Sequence, residues 1–170
     1  MDSTFIIAAA VAVVSTLLAI THSNAVHALL YLIVSFFSVA VAFFILGASF
    51  VAALEVIVYA GAIMVLFVFV TMLLSLGADA ARQERQWTSS RVWIGPGLLS
   101  FVLLVELLYV SLYGVSNPGE IKVVAPKAVA LSLFSTYIVG VELASMLLLA
   151  GLVGAFYLGR RIEHEDHSLE

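Results

Sequence analysis

The chain has 170 residues, of which 64% are hydrophobic and only 11% are charged, and its mean hydropathy is +1.18. A soluble domain normally carries about 25% charged residues, so this composition excludes an ordinary soluble protein and favours one embedded in a lipid bilayer. The net charge of −4 gives no support to nucleic-acid binding. Because the chain has no cysteine and no phosphate-binding, nucleophile-elbow or haem motif, we expect no redox cofactor and no metal site in it.

Long apolar runs predict five membrane-spanning helices. No charged residue lies between Ser3 and Leu54, and this run alone is long enough for two spans. Asn24 is a suitable N-cap for the second span, and Pro96 is placed in the first turn of the fourth. The predicted fold is therefore all-α, a single membrane domain. Its spans cover residues 4–20, 26–46, 51–76, 92–113 and 138–158.

The connections between the predicted spans are short and polar. Residues 47–49 form a tight turn, whereas residues 77–91 and 114–127 form longer loops and residues 159–170 a tail. Residues 126–137 are interpreted as an interfacial or partly inserted segment that precedes the fifth span. Arginine and lysine favour the cytoplasmic side of short loops. With the N-terminus outside, five of these cations face the cytoplasm and two face outward: Arg82, Arg85, Arg91, Arg160 and Arg161, against Lys122 and Lys127.

Three carboxylates fall within apolar spans: Glu55, Glu106 and Glu142. An ionised carboxylate in hydrocarbon costs at least a few kcal/mol, so each must stay protonated or face water or a partner helix. Either state makes the group a candidate proton carrier. The alternative is an acid that only holds helices together, and for Glu106 this structural interpretation is favoured, since nothing distinctive surrounds it in the sequence.

The third span holds the strongest local pattern. At 100° per residue, Ala52, Glu55, Tyr59 and Ala62 share one helical face, where small residues permit close approach of another helix. Gly61 lies in mid-span, where it weakens the α-helix. It either hosts a π-bulge, an extra residue in one helical turn, or merely permits close packing; the spacing favours neither interpretation.

The fifth span carries small residues on one face and an acid on roughly the opposite face. The small residues recur at spacings of four and seven: Gly140, Ala144, Gly151 and Ala155. A helix with a packing face on one side and Glu142 on the other needs neighbours on both sides. Five helices can hardly supply them all, so the pattern indicates a larger assembly.

Four segments resemble one known family. The segment 55–74 (EVIVYAGAIMVLFVFVTMLL) closely resembles the third span of the J subunit of bacterial NADH:quinone oxidoreductase, the counterpart of mitochondrial complex I subunit 6. Three other segments are similar to the same subunit: 21–33 (THSNAVHALLYLI), 83–96 (QERQWTSSRVWIGP) and 141–153 (VELASMLLLAGLV). Together with the five-span layout, the resemblance covers most of the chain.

The resemblance implies a subunit without cofactors in the membrane arm of respiratory complex I, in the bacterial inner membrane with a periplasmic N-terminus and a cytoplasmic C-terminus. Partner subunits would hold FMN, iron–sulfur clusters and quinone. The expected partners are the quinone-site subunit, the small antiporter-like subunits and the lipid bilayer. In this family a π-bulge near the positions of Tyr59, Ala60 and Gly61 is linked to opening a proton path, and Glu55 matches the acid of that span.

The expected function is therefore coupling of quinone reduction to proton translocation through a deformable third helix. Its candidate residues are Glu55, Tyr59, Ala60, Gly61 and Glu142. Two alternatives remain at this point: a subunit of a multi-subunit cation/proton antiporter, and a non-catalytic assembly scaffold.

Overall fold

The computed structural model describes residues 3–74, 90–113 and 123–160, and every regular element in these ranges is helical. Five helices there are long and apolar enough to cross a membrane: Ser3–Thr21, Ala25–Ile45, Ser49–Leu74, Trp93–Tyr113 and Ile138–Gly159. The predicted all-α fold with five spanning helices is confirmed. The predicted loops 77–91 and 114–127 and the tail 159–170 lie mostly outside the described residues.

The elements are numbered here in chain order. They are α1 (Ser3–Thr21), α2 (Ala25–Ile45), α3 (Ser49–Leu54), a π-helical segment (Glu55–Ile63), α4 (Met64–Leu74), α5 (Ser90–Tyr113), α6 (Pro126–Phe134) and α7 (Ile138–Gly159). The chain divides into two compact units, Met1–Ala125 and Pro126–Glu170.

In the first unit α2 is the central helix. It packs against α1, α3, the π segment, α4 and α5, and α1 also packs against α5. Asn24 caps α2 as predicted, since its side-chain oxygen accepts hydrogen bonds from the N–H groups of Val26 (3.0 Å) and His27 (3.3 Å). The helices that surround α2 are therefore all positioned by contacts with it.

Hydroxyl groups join α1 to α2. Ser38 Oγ donates to the Ala8 carbonyl at 2.5 Å, and Ser35 Oγ donates to the Ala12 carbonyl at 3.2 Å. Thr16 Oγ1 lies 2.8 Å from Ser35 Oγ. In a medium without water a hydroxyl must find its partner within the protein, and measured helix–helix hydrogen bonds contribute about 0.6 kcal/mol each. These bonds fix the register of the two helices.

Two apolar layers fill the space between α1, α2 and α5. The first layer, called here the Ala8 layer, comprises Ala8, Val41, Ile45 and Val110. The second, the Val11 layer, comprises Val11, Val34 and Leu103. Leu103 and Val110 are seven residues apart on α5, which places them on one face of that helix.

Near its start α5 approaches α2 closely. A Cβ atom at Gly95 would overlap the Tyr31 hydroxyl of α2, so a larger residue there would require α5 or the Tyr31 side chain to move. The next residue, Pro96, lies in the second turn because the helix begins at Ser90. The prediction that Pro96 lies in the first turn is therefore wrong. The helix extends two residues further toward its N-terminus than the apolar run alone suggested.

The turn between α2 and α3 is closed by glycine, at the predicted position. Gly47 has a φ of 81°, a left-handed conformation that residues with a Cβ rarely adopt. The Ala48 N–H donates to the Phe43 carbonyl and the Gly47 N–H to the Phe44 carbonyl, which together form a Schellman motif. The Val124 N–H donates to the Gly47 carbonyl at 3.0 Å, so the turn is also held from outside.

The second unit consists of α6 and α7. Pro126 is the first residue of α6, where its missing N–H costs nothing, and a turn through Tyr137 leads into α7. Val129 and Val141 are partly buried, whereas the other described residues of this unit are exposed. A 22-residue helix this apolar and this exposed needs lipid or other chains around it.

Candidate functional site

The third span changes helix type in its middle. It begins as α-helix, with the Glu55 N–H bonded to the Val51 and Ala52 carbonyls, and becomes π-helical from Glu55 to Ile63. At the end of the π segment the Met64 N–H donates to the Tyr59 carbonyl, five residues back. π-Helical segments are rare and frequently mark functional sites. Of the two interpretations of Gly61 that the sequence left open, the structure supports the π-bulge.

Gly61 lies within the π segment, where space beside the backbone is limited. A Cβ atom at this position would lie 3.2 Å from the Val56 carbonyl oxygen, the acceptor five residues back. This distance is shorter than an ordinary van der Waals contact. A side chain at position 61 would require the Val56 carbonyl to shift by a few tenths of an ångström, whereas glycine avoids this close contact.

The π segment changes which residues of the span face α2. Ala52 and Met64 are the buried residues of the described third span, and Met64 is only 1% exposed. Met64 follows Ala52 by twelve residues. In a regular α-helix this separation would rotate the Met64 side chain by about 120° relative to that of Ala52, so the two side chains would point in different directions. One extra residue in a wide turn reduces this difference to about 20°. The π segment thus places Met64 on the packed face.

Glu55 and Tyr59 lie on either side of the first π turn. The Glu55 side chain is partly buried, and its carboxyl group makes no ion pair or hydrogen bond with any described residue. The Tyr59 ring lies 5.4 Å from the Phe36 ring of α2, although 46% of the side chain is exposed. Ala60 is partly buried, whereas Ala62 is exposed. The π segment thus contains four of the five predicted site residues: Glu55, Tyr59, Ala60 and Gly61.

Glu142 lies in the second unit, on α7. Its side chain is exposed, and its backbone carbonyl accepts a hydrogen bond from Ser145 Oγ at 2.7 Å. The π segment belongs to the first unit and Glu142 to the second.

Comparison with known proteins identifies the family. The sequence model of NADH-ubiquinone/plastoquinone oxidoreductase chain 6 matches residues 15–158. The chain belongs to this family.

Curated members of the chain 6 family align with almost the whole chain. The NADH-quinone oxidoreductase subunit J of Escherichia coli strain K12 is 55% identical over 161 residues, which cover 94% of this chain and 87% of that protein. The subunit J of Pseudomonas aeruginosa is 56% identical over 162 residues, covering 95% and 98%. The subunit J of Buchnera aphidicola from Schizaphis graminum is 44% identical over 160 residues, covering 94% and 98%.

The structure of this chain 6 family member also shows a buried acid that sequence reasoning did not select. Glu106 of α5 is only 5% exposed, and neither carboxylate oxygen has a hydrogen-bond partner among the described residues. The sequence offered no signal for its burial, because α5 is apolar on all sides and its periodicity does not mark an inner face.

Proposed function

We propose that the chain is a membrane-arm subunit of a proton-pumping NADH:quinone oxidoreductase, in the bacterial inner membrane with its N-terminus periplasmic and its C-terminus cytoplasmic. NADH oxidation takes place in partner subunits that hold FMN and iron–sulfur clusters, and quinone is bound outside this chain. The direct partners are the quinone-site subunit and the small antiporter-like subunits. The names of the relatives and the five apolar helices support this assignment.

The observation that carries the mechanism is the π segment Glu55–Ile63 in the middle of a spanning helix. A π turn holds one more residue than an α turn, so conversion to α-helix rotates everything beyond it by about 100°. Met64 would leave the packed face, and Ile63, eleven residues after Ala52, would replace it. A rotation of this kind opens and closes space beside α2 without breaking the helix.

Glu55 stands at the N-terminal end of this deformable segment and has no cation beside it among the described residues. A carboxyl group in such a place exchanges a proton when water reaches it and keeps the proton when water is excluded. In the proposed mechanism the rotation controls access of water to this side of the helix. Glu142 is the second acid assigned to proton movement.

The test uses Gly61→Leu in the whole complex in membrane vesicles. Leucine at position 61 conflicts with the Val56 carbonyl and favours the α form, so we expect proton pumping per NADH oxidised to fall sharply. The measurements are NADH:quinone reductase rate and NADH-driven acidification of the vesicle interior. Gly97→Leu is the control, because a Cβ atom at Gly97 meets no atom of the described residues within 4 Å.

The same vesicles separate the alternatives. Pumping that continues unchanged in Gly61→Leu contradicts the deformable-helix mechanism. Activity that depends on a sodium gradient rather than on NADH and quinone would identify an antiporter subunit. Normal pumping by an assembled complex that carries Glu55→Gln would assign this chain a scaffold role.

A further inference from the structure

Glu106 lies inside the three-helix core of the first unit. On α5 it falls between Leu103 of the Val11 layer and Val110 of the Ala8 layer, and all three residues are buried. Its carboxyl group lies beside the backbone of Ala8 on α1. The acid therefore occupies the level between two apolar layers, at a position that a leucine or valine would fill without any desolvation cost.

No described side chain compensates a negative charge at Glu106, and the polar group beside its carboxyl is the backbone of Ala8. Neither of its oxygens is hydrogen-bonded to a described residue, and the Ser38 hydroxyl at this level already donates to the Ala8 carbonyl. The helix α1 has no ionisable side chain, and α2 has only His27 and Tyr31, both in its first two turns. On α5 itself the described ionisable neighbours are Tyr109 and Tyr113. An ion in this place costs several kcal/mol.

A cleft between α1 and α5 gives access to this level. The α1–α5 cleft has a volume of about 430 Å³, and Thr4 and Ile7 line it from α1. Phe101, Val105, Glu106 and Tyr109 line it from α5. The cleft lies toward the membrane end at which α1 begins and α5 ends. Within the core itself, the Val11 layer closes one side of Glu106 and the Ala8 layer the other.

We propose that Glu106 is a second proton-binding site of this chain, which takes up and releases its proton through the α1–α5 cleft alone. The ligand is a proton, and the site stores it rather than passing it on, because the Val11 and Ala8 layers close the core on both sides of Glu106. This inference rests on the proposed role of the chain in proton translocation, but the site is separate from the π segment.

A hydrophobic carbodiimide tests whether the acid is protonated and reachable. The carboxyl group adds across one C=N bond: its oxygen bonds to the central carbon and its proton moves to nitrogen. The acyl group then shifts from oxygen to nitrogen and gives a stable N-acylurea, so nothing is lost and the peptide gains the mass of the reagent. An ionised carboxylate cannot supply the proton that this addition consumes.

The experiment treats the whole complex in membranes with the carbodiimide and locates the adduct by mass spectrometry of this chain. We expect an adduct on Glu106, none at that position in Glu106→Gln, and much slower modification in Ile7→Phe, which narrows the cleft. Leu104→Phe is the matched control, because Leu104 is exposed on α5 and does not line the α1–α5 cleft. An unmodified Glu106 beside a modified Glu55 or Glu142 would overturn the proposal, as would equal rates in the Ile7→Phe and wild-type chains.

Infrared difference spectra of the purified complex, wild type minus Glu106→Gln, test proton exchange directly. We expect a carboxylic-acid C=O band that shifts when H₂O is replaced by D₂O. A missing band would mean that Glu106 is ionised, and a band that does not shift would mean that its proton does not exchange with solvent. Either result refutes the proposed site. Neither measurement requires NADH oxidation or proton pumping. The two experiments therefore still test the Glu106 site if the π-segment mechanism fails.

Discussion

Two glycines of the first unit illustrate how the absence of one carbon atom sets local geometry. At Gly61 the limiting neighbour is a carbonyl oxygen of the same helix, five residues back. At Gly95 it is the Tyr31 hydroxyl on another helix. Gly61 thus affects the backbone geometry within one helix, whereas Gly95 affects the distance between two helices.

The contact at Gly95 leads to a stability prediction. Gly95→Ala forces α5 and Tyr31 apart. We therefore expect the free energy of unfolding to fall by about 1–3 kcal/mol, the usual cost of overpacking. Adding Tyr31→Phe removes the overlapping hydroxyl and should restore much of the loss. The measurement is the thermal midpoint of the purified complex and the amount of this chain in it.

Gly97→Ala is the matched control for that experiment, because a Cβ at Gly97 meets no atom within 4 Å in the described part of the chain. Both substitutions raise helix propensity by the same amount, so the propensity effect cancels. A Gly95→Ala chain as stable as the Gly97→Ala chain would contradict the packing described here.

Sequence reasoning reached some of these residues and missed others for a physical reason. Asn24 and Gly47 were predictable because a cap and a left-handed turn restrict the residue type locally. Glu55 and Gly61 stood out as an acid and a helix breaker within an apolar run. The burial of Glu106 and the contact at Gly95 depend on which face of α5 meets its neighbours, and an all-apolar helix carries no such signal.

At the scale of elements, the π segment shows the limit of periodicity arguments. A face assigned at 100° per residue groups Ala52 with Ala62, but the structure buries Ala52 together with Met64. The extra residue in the π turn shifts the phase of everything that follows it. The sequence indicated where the helix could deform, at Gly61, but not the direction of the residues beyond it.

This phase shift predicts that the accessibility of positions 63 and 64 changes in opposite directions during turnover. The chain has no cysteine, so Met64→Cys and Ile63→Cys each introduce a single thiol into it. Met64 is buried at rest, so in the resting complex we expect slow labelling of Met64→Cys by a membrane-permeant maleimide. During turnover with NADH and quinone, labelling should become faster at position 64 and slower at position 63.

The inhibited complex, given NADH with the quinone reaction blocked, is the control for that labelling experiment. Rates at positions 63 and 64 that rise or fall together would indicate a general loosening of the span. Rates that stay constant during turnover would argue against rotation of α4.

At the scale of the whole molecule, the described part of the chain exposes most of its large apolar side chains and buries few. In the second unit all but two of the described residues are exposed. The lipid bilayer and the partner subunits must cover this surface, because neither unit has enough helices of its own to do so. The small-residue face of the fifth span and Glu142 on its opposite face predicted this dependence on an assembly, whereas the arrangement of the neighbours lies beyond a single chain.

The proposed orientation predicts which end of the chain faces each side of the membrane. Ser3→Cys should react with an impermeant thiol reagent in spheroplasts, and Arg160→Cys should react only in inverted vesicles, since cations near the spans favour the cytoplasmic side. Mass spectrometry of this chain reads the labelling. The reverse pattern would invert the assignment of both ends, and with it the side from which the α1–α5 cleft is reached.

The hydrogen bond from Val124 to the Gly47 carbonyl has a consequence for the direction of movement in the third span. This bond holds the turn that precedes α3. The start of the span is therefore fixed both by the bonds from Gly47 and Ala48 to α2 and by the bond from Val124. If the π turn gives up its extra residue, that residue adds about 1.5 Å of helical rise as well as its rotation. Because the α3 end is fixed, both the rotation and the rise appear at the other end of the span, at Leu74. A local change beside Glu55 thus moves the helix end at the opposite membrane surface in a defined direction.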